Sequence, residues 1–307
     1  MSRIEINPEL EPLIDRFKSI PVRSRIGRFL VQLSLRFRTP PHAPDRKLDY
    51  RDIKLTNSSA RVYSPLSPSG VGVFWIHGGG LVIGNHTMDL AITDLFQREL
   101  GAVVLSAGYR LAPKHPFPAA IDDLTEAWHW LEDNADDLGI DKDKIIVAGM
   151  SAGGGLAAAI VQRLMVQAGL KPAAQSLLCP MLDDRTGGDR SLDSLNHLCW
   201  NNDANNFGWS AYLNCPAGSA EVDPSAVPAR TEDLTGLPPT WIGVGTSDLF
   251  HAECVEYSRR LVEANVDTTL HEAPLAPHGF EVITWDSQLA KDYYASQLTT
   301  LRRVLNL

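Results

Sequence analysis

Long apolar runs are missing from this 307-residue chain, and none reaches the roughly 18 residues that a membrane-crossing helix takes. The opening residues, Met-Ser-Arg-Ile-Glu-Ile-Asn-Pro, lead into acidic residues and not into the apolar core of a signal peptide, so a cytoplasmic location is the expectation. Cysteine is scarce. Cys179, Cys199, Cys215 and Cys254 stand far apart with no CxxC pair, which suits a reducing compartment and argues against a zinc site. Basic charge is short as well: 28 Lys+Arg face 37 Asp+Glu, a net charge of −9 that speaks against nucleic acid as the main partner. Repeats and low-complexity tracts are absent. The remaining balance, 44% hydrophobic and 21% charged, is that of an ordinary soluble globular protein with room for one large α/β domain and an accessory piece.

Charge is unevenly spread. Residues 1–60 hold twelve Lys/Arg against seven Asp/Glu, so the rest of the chain is strongly acidic. Within that segment Val22, Ile26, Phe29, Leu30, Leu33 and Phe37 recur at helical spacing, among Arg23, Arg25, Arg28 and Arg36. The spacing predicts a helix whose apolar face covers the main domain while its arginines meet the acidic body. A helix lying on an anionic membrane is the competing reading.

After Pro40-Pro41 short strands take over. Tyr50–Leu55 and Ala60–Tyr63 read as a hairpin about Asn57-Ser58-Ser59. Val71–Ile76, Ala102–Ser106 and Lys144–Ala148 are runs suited to strands buried on both faces. Gln175–Leu178, Trp241–Val244 and Thr268–His271 add three more strands, with helices about Ile121–Leu131, after Gly153, over Ala252–Glu263 and over Ser287–Arg303. Strands alternating with helices imply a mostly parallel sheet covered on both faces. Residues 181–236 break the rhythm. They are rich in Asp, Asn, Gly, Ser and Pro, carry Trp200, Phe207, Trp209 and Tyr212, and read as an inserted helical piece beside the N-terminal helices. The expected division is 1–45 as N-terminal cap helices, 46–180 and 237–307 as the two parts of the core, and 181–236 as a cap insertion.

Gly149-Met150-Ser151-Ala152-Gly153 sits where a strand hands over to a helix. A serine between two glycines at such a junction fits a nucleophile elbow, a tight turn that lifts the hydroxyl above the sheet. His77-Gly78-Gly79-Gly80 directly follows another buried strand. Acyl transfer develops negative charge on a carbonyl oxygen, and a glycine loop can aim backbone N–H groups at it without side-chain interference. Amides of this glycine loop, with that of Ala152 after the serine, are the candidate oxyanion donors. A phosphate loop would need Gly-Lys-Ser/Thr, which does not follow. A serine also needs a base and the base an orienting acid, expected in the chain order Ser, Asp/Glu, His. Of His197, His251, His271 and His278, His278 has the fitting context, a loop Pro277-His278-Gly279-Phe280 between the last strand and the final helix. Asp248 follows a strand through Gly245-Thr246-Ser247 and is the candidate acid, with Glu253 and Asp183 as rivals.

These motifs, together with Tyr109–Ala120 (Tyr-Arg-Leu-Ala-Pro-Lys-His-Pro-Phe-Pro-Ala-Ala), resemble the hormone-sensitive lipase family of esterases over roughly residues 45–300. The resemblance implies an α/β-hydrolase core with a helical cap built from the N-terminus and an insertion after the sixth strand. It implies Ser151 as nucleophile, Asp248 as acid, His278 as base and Gly78, Gly79 and Ala152 as oxyanion donors, with Tyr109–Ala120 structural. Two positions depart from it. Met150 stands where relatives often carry Asp or Thr, and Leu81 where an aromatic residue is frequent, which leads us to expect a wider or softer acyl pocket.

The function expected is a serine carboxylesterase acting on short-chain or aryl esters, without cofactor or metal. Its partners would be a small-molecule ester and at most a second copy of the chain as a homodimer, with neither nucleic acid nor stable membrane insertion. An amidase or deacetylase of the same mechanism, and a non-catalytic small-molecule receptor of the same fold, are the alternatives.

Overall fold

The computed structural model describes residues 4–37 and 48–307. Their strands are β1 (Asp49–Lys54), β2 (Ser59–Ser64), β3 (Gly72–Ile76), β4 (Val103–Ala107), β5 (Ile145–Met150), β6 (Ala174–Leu178), β7 (Thr240–Gly245) and β8 (Thr268–Ala273). The helices are α1 (Arg25–Phe37), α2 (Leu90–Leu100), α3 (Ala119–Asn134), α4 (Ala152–Val166), α5 (Asp184–Gly188), α6 (Asn202–Leu213), α7 (His251–Glu263), α8 (Phe280–Ile283) and α9 (Gln288–Leu305). The strands make one sheet in the order β1-β2-β4-β3-β5-β6-β7-β8. β1 and β2 form the expected antiparallel hairpin, β2 runs antiparallel to β4, and every later pairing is parallel. This is an α/β-hydrolase fold. The Pro40-Pro41 break and the boundary at residue 45 lie outside the described residues.

Burial follows the sequence pattern. β3, β4 and β5 are apolar because both faces are covered, whereas edge strand β1 exposes Asp49, Arg51, Asp52 and Lys54, charges that discourage pairing with another chain. Alternation divides the core in two. Phe74, Ile76 and Val147 face the layer that contains Trp128 of α3, Leu156 of α4 and Tyr257 of α7. Val73, Trp75, Ile146 and Ala148 face the other layer, with Phe96 of α2 and Tyr293 and Leu301 of α9. Helix α2 was not foreseen in the sequence. It begins soon after the glycine loop, and its Ile92, Leu95, Phe96 and Leu100 are buried.

The order of strands positions the site. From β3 the chain passes through α2 to β4 on one side, and from β5 it passes through α4 to β6 on the other. Between the carboxyl ends of β3 and β5 the winding reverses and opens a crevice, the usual location of sites in open α/β sheets. The glycine loop leaves β3 there and the Ser151 turn leaves β5. Asp248 and His278 follow β7 and β8 at the same edge.

The N-terminal helix departs from expectation. Ile26, Phe29, Leu30 and Leu33 of α1 are exposed instead of covering the main domain. Contact with the body comes from buried Val22 and from the half-buried opposite face, Val31 and Leu35. One arginine does meet the acidic body, Arg23 pairing with Asp203 at 2.5 Å, while the Arg28 guanidinium stacks on Phe207.

Candidate active site

Ser151 caps the start of α4 at φ 56° and ψ −123°. A residue with a side chain holds such a conformation at a cost of about 1–3 kcal/mol, so its surroundings must fix it. They do so through backbone bonds: Ser151 N–H donates to Leu178 O at 2.8 Å, and Ser151 O accepts from Gly155 N and Met181 N, each at 3.0 Å. The turn also needs close backbone approach. A Cβ on Gly153 would lie 2.2 Å from the Ile76 carbonyl oxygen, which only glycine avoids.

His278 Nε2 lies 2.9 Å from Ser151 Oγ, and its Nδ1 lies 2.7 Å from Asp248 Oδ2. The second oxygen of Asp248 accepts from Phe250 N–H at 2.9 Å, which orients the carboxylate. The carboxylate acceptor places a proton on Nδ1 and leaves Nε2 as the lone pair facing the serine. All three side chains are buried, and Phe250 packs edge-on against the imidazole at 5.1 Å. Burial alone favours the neutral ring. The Asp248 carboxylate, by charge and hydrogen bond, with Glu281 adding, outweighs it and raises the His278 pKa above its ordinary 6.5.

The rivals are engaged elsewhere. Glu253 accepts from the Leu182 and Asp183 N–H groups and from the Thr186 hydroxyl, and burial pushes its carboxyl pKa well up. Asp183 pairs with Arg185 and His251 with Glu272. The His271 ring meets Tyr293 edge-on at the sheet face. His197 lies near enough to Asp248 and His278 to feel their charge, but it bonds to neither.

The glycine loop lies against the serine. Gly78 approaches so closely that a Cβ on it would be 3.4 Å from Ser151 Cβ. Its carbonyl is turned to His77 Nδ1 at 2.8 Å, and the Gly79 carbonyl accepts from Val82 and Ile83 N–H groups at 3.2 and 3.1 Å. Gly79 holds φ 118°, and a Cβ there would strike the Ile83 carbonyl oxygen at 2.0 Å. His77 is stacked on Tyr109 at 4.3 Å, and burial lowers its pKa to about 4, so it stays neutral and donates to the loop. Tyr109 OH donates to the His77 carbonyl at 3.0 Å, and Arg110 grips buried Asp123, so the Tyr109–Ala120 stretch supports the loop from beneath.

A cavity of about 230 Å³ opens onto Ser151 and His278. Its walls are otherwise apolar: Ile20, Val31 and Leu35 from the N-terminal segment, Gly79, Gly80 and Ile83 from the glycine loop, and Met150, Trp200, Val282 and Ile283 among the rest. Met150 is therefore a wall residue. Leu81 is not, which corrects the expectation attached to it. It is buried in the core at φ 68°, and the surface of Gly80 is covered by Trp200.

Sequence reasoning missed two neighbours of the dyad. Cys179 Sγ lies within 4.8 Å of ligand atoms of both Asp248 and His278. It donates to Glu281 Oε1 at 3.1 Å, and burial keeps it a neutral thiol, a poor start for a metal ligand. Glu281 is fully buried three residues after His278, and burial raises its pKa. Nothing in the local sequence marks either residue, because β6 and α8 bring them together only in the fold.

A family model for the alpha/beta hydrolase fold, Abhydrolase_3, matches residues 73–282. Esterase LipI of Mycobacterium tuberculosis is 31% identical over 89% of this chain and 88% of its own length. Carboxylesterase NlhH of the same species is 30% identical over 100% of this chain and 98% of its own. Among solved structures, a bacterial heroin esterase superposes with a TM-score of 0.87 at 29% identity, covering 98% of each chain. The chain belongs to the hormone-sensitive lipase-like family of α/β-hydrolases. It is a carboxylic ester hydrolase.

Proposed function

We propose that the chain hydrolyses small neutral esters, short-chain or aryl, through an acyl-enzyme on Ser151. The observation that carries this reading is the unbroken hydrogen-bond path from Ser151 Oγ through both nitrogens of His278 to Asp248, at 2.9 and 2.7 Å. In the first step Oγ attacks the carbonyl carbon as Nε2 takes its proton. Negative charge on the carbonyl oxygen is met by the N–H groups of Gly78, Gly79 and Ala152, and the imidazolium is held by the Asp248 carboxylate. Nε2 then returns the proton to the leaving oxygen, and the alcohol departs. Water, activated by the same nitrogen, releases the acid and restores the serine.

The cavity walls favour an uncharged substrate, because among the described residues that line it no carboxylate, lysine or arginine offsets the cost of desolvating a charge. In this reading the N-terminal helix and residues 181–236 act together as a cap that keeps water from the acyl-enzyme. The decisive experiment is treatment with a fluorophosphonate beside turnover of p-nitrophenyl acetate. Labelling should map to Ser151 and abolish turnover. A chain that remains unlabelled and inert would instead be a receptor.

A further inference from the structure

We propose that Trp200 sets the upper limit on acyl chain length; the inference rests on the esterase reading above. The direction of the substrate follows from the catalytic groups. The carbonyl oxygen must face the loop amides, and the leaving oxygen must come within reach of His278 Nε2 to receive its proton. The leaving group therefore lies on the His278 side of the cavity, where Met150, Val282 and Ile283 pack into one half of the core. The acyl chain is left with the opposite side, along Gly80, Ile83 and Trp200, of which Ile83 and Trp200 belong to the other half.

Trp200 closes that side. Its indole presses on the loop so tightly that a Cβ on Gly80 would lie 2.0 Å from Cη2 and 2.3 Å from Cζ2. The ring is backed by α6, where a Cβ on Gly208 would come within 2.7 Å of the Gly80 carbonyl oxygen and 3.5 Å of Trp200 Cζ2. It is buried, and its Nε1 donates to Asn205 Oδ1 at 3.4 Å. The ring is thus held between the glycine loop and α6. A cavity of about 230 Å³ is smaller than the roughly 300–1,000 Å³ typical of pockets for drug-sized ligands. An acyl group of more than a few carbons meets the indole face.

The test uses the full chain with Trp200→Ala and the milder Trp200→Leu, each checked for native circular dichroism. One series of p-nitrophenyl esters lengthens the acyl group from acetate to decanoate, and a second series of acetates lengthens the alcohol. For the unaltered chain kcat/KM should fall at least tenfold between butyrate and octanoate. Both variants should raise the octanoate-to-acetate ratio, Ala by on the order of 10- to 200-fold, the range that a single methylene spans in an apolar pocket. The ratios in the alcohol series should stay within about threefold. Equal turnover of octanoate and acetate by the unaltered chain would overturn the proposal, as would an unchanged acyl ratio in the folded variants or a shift confined to the alcohol series. Failure of the esterase reading itself would look different: no turnover of any ester, and no fluorophosphonate on Ser151.

Discussion

Ser151 joins two demands that sequence alone leaves separate, a strained backbone and a hydroxyl aimed at a base. Its positive φ is held by a bond to the Leu178 carbonyl and by bonds from the Gly155 and Met181 N–H groups, so the strain is sustained by β6, the loop after it and α4 together. In the proposed mechanism nucleophile and base act as a unit, so Ser151→Ala should lower kcat by on the order of 10⁶ in a p-nitrophenyl acetate assay. Retention of more than a few per cent of activity would place the nucleophile elsewhere. As the proposed base, His278 must be neutral to accept the serine proton, and its raised pKa puts the expected loss of activity on the acid side at a midpoint above 6.5. Rates should fall as pH drops through that midpoint. In Asp248→Asn the opposing charge is gone and burial dominates, so the limb should move to lower pH while kcat falls by about 10⁴, as expected where the imidazole loses its orienting carboxylate. A pH–rate profile of both proteins reads the two effects separately.

At the scale of elements, the N-terminal segment does more than line a cavity with Ile20, Val31 and Leu35. Ser247 Oγ donates to the Glu5 carbonyl at 2.7 Å, and Asn7 bonds to the carbonyls of Pro274 and Leu275, so the segment braces the loops that carry Asp248 and His278. Further on, the Gln32 amide on α1 makes a two-point clamp with Gly84, at 2.8 and 2.9 Å, immediately beyond the glycine loop. Removing residues 1–38 should therefore impair turnover of every ester and lower solubility, while the sheet and the Ser151 turn remain folded by circular dichroism. The outward stripe of α1 is separable from this. Phe29→Glu with Leu30→Glu should leave stability within about 0.5 kcal/mol and the rate on a water-soluble ester unaltered, since both side chains are exposed. A truncated protein that stays soluble with full activity would show that the segment neither braces nor covers the site.

On the scale of the whole molecule, a buried ion pair ties distant parts of residues 181–236 together. Asp184, fully buried, takes a two-point bond from Arg230 at 2.7 and 2.9 Å and accepts the Gly218 N–H at 2.8 Å. The pair joins α5 to the chain 46 residues later, near where it re-enters the sheet. Asp184→Ala leaves a guanidinium with little solvent and no carboxylate, which should destabilise by about 3–5 kcal/mol. Calorimetry should show it as a Tm lower by on the order of 10 °C, at the usual few degrees per kcal/mol for a chain of this size. A shift below about 2 °C would mean that the pair is dispensable to the fold.

The strands, the glycine loop, the Ser151 turn and the candidate pair Asp248 and His278 were legible in the sequence because each obeys a local rule. Buried parallel strands need unbroken apolar runs, tight turns need glycine, and catalytic side chains follow strand ends. What the chain does between distant segments could not be read in that way. That α1 turns Phe29 and Leu30 outward, that Glu281 and Cys179 gather behind His278, and that Trp200 covers Gly80 in place of Leu81 all depend on how separate elements pack. Amphipathic spacing fixes that a helix has an apolar face but not which neighbour meets it, and a buried acid or tryptophan carries no mark of its partner until the sheet brings residues 80, 151, 200 and 278 to one edge.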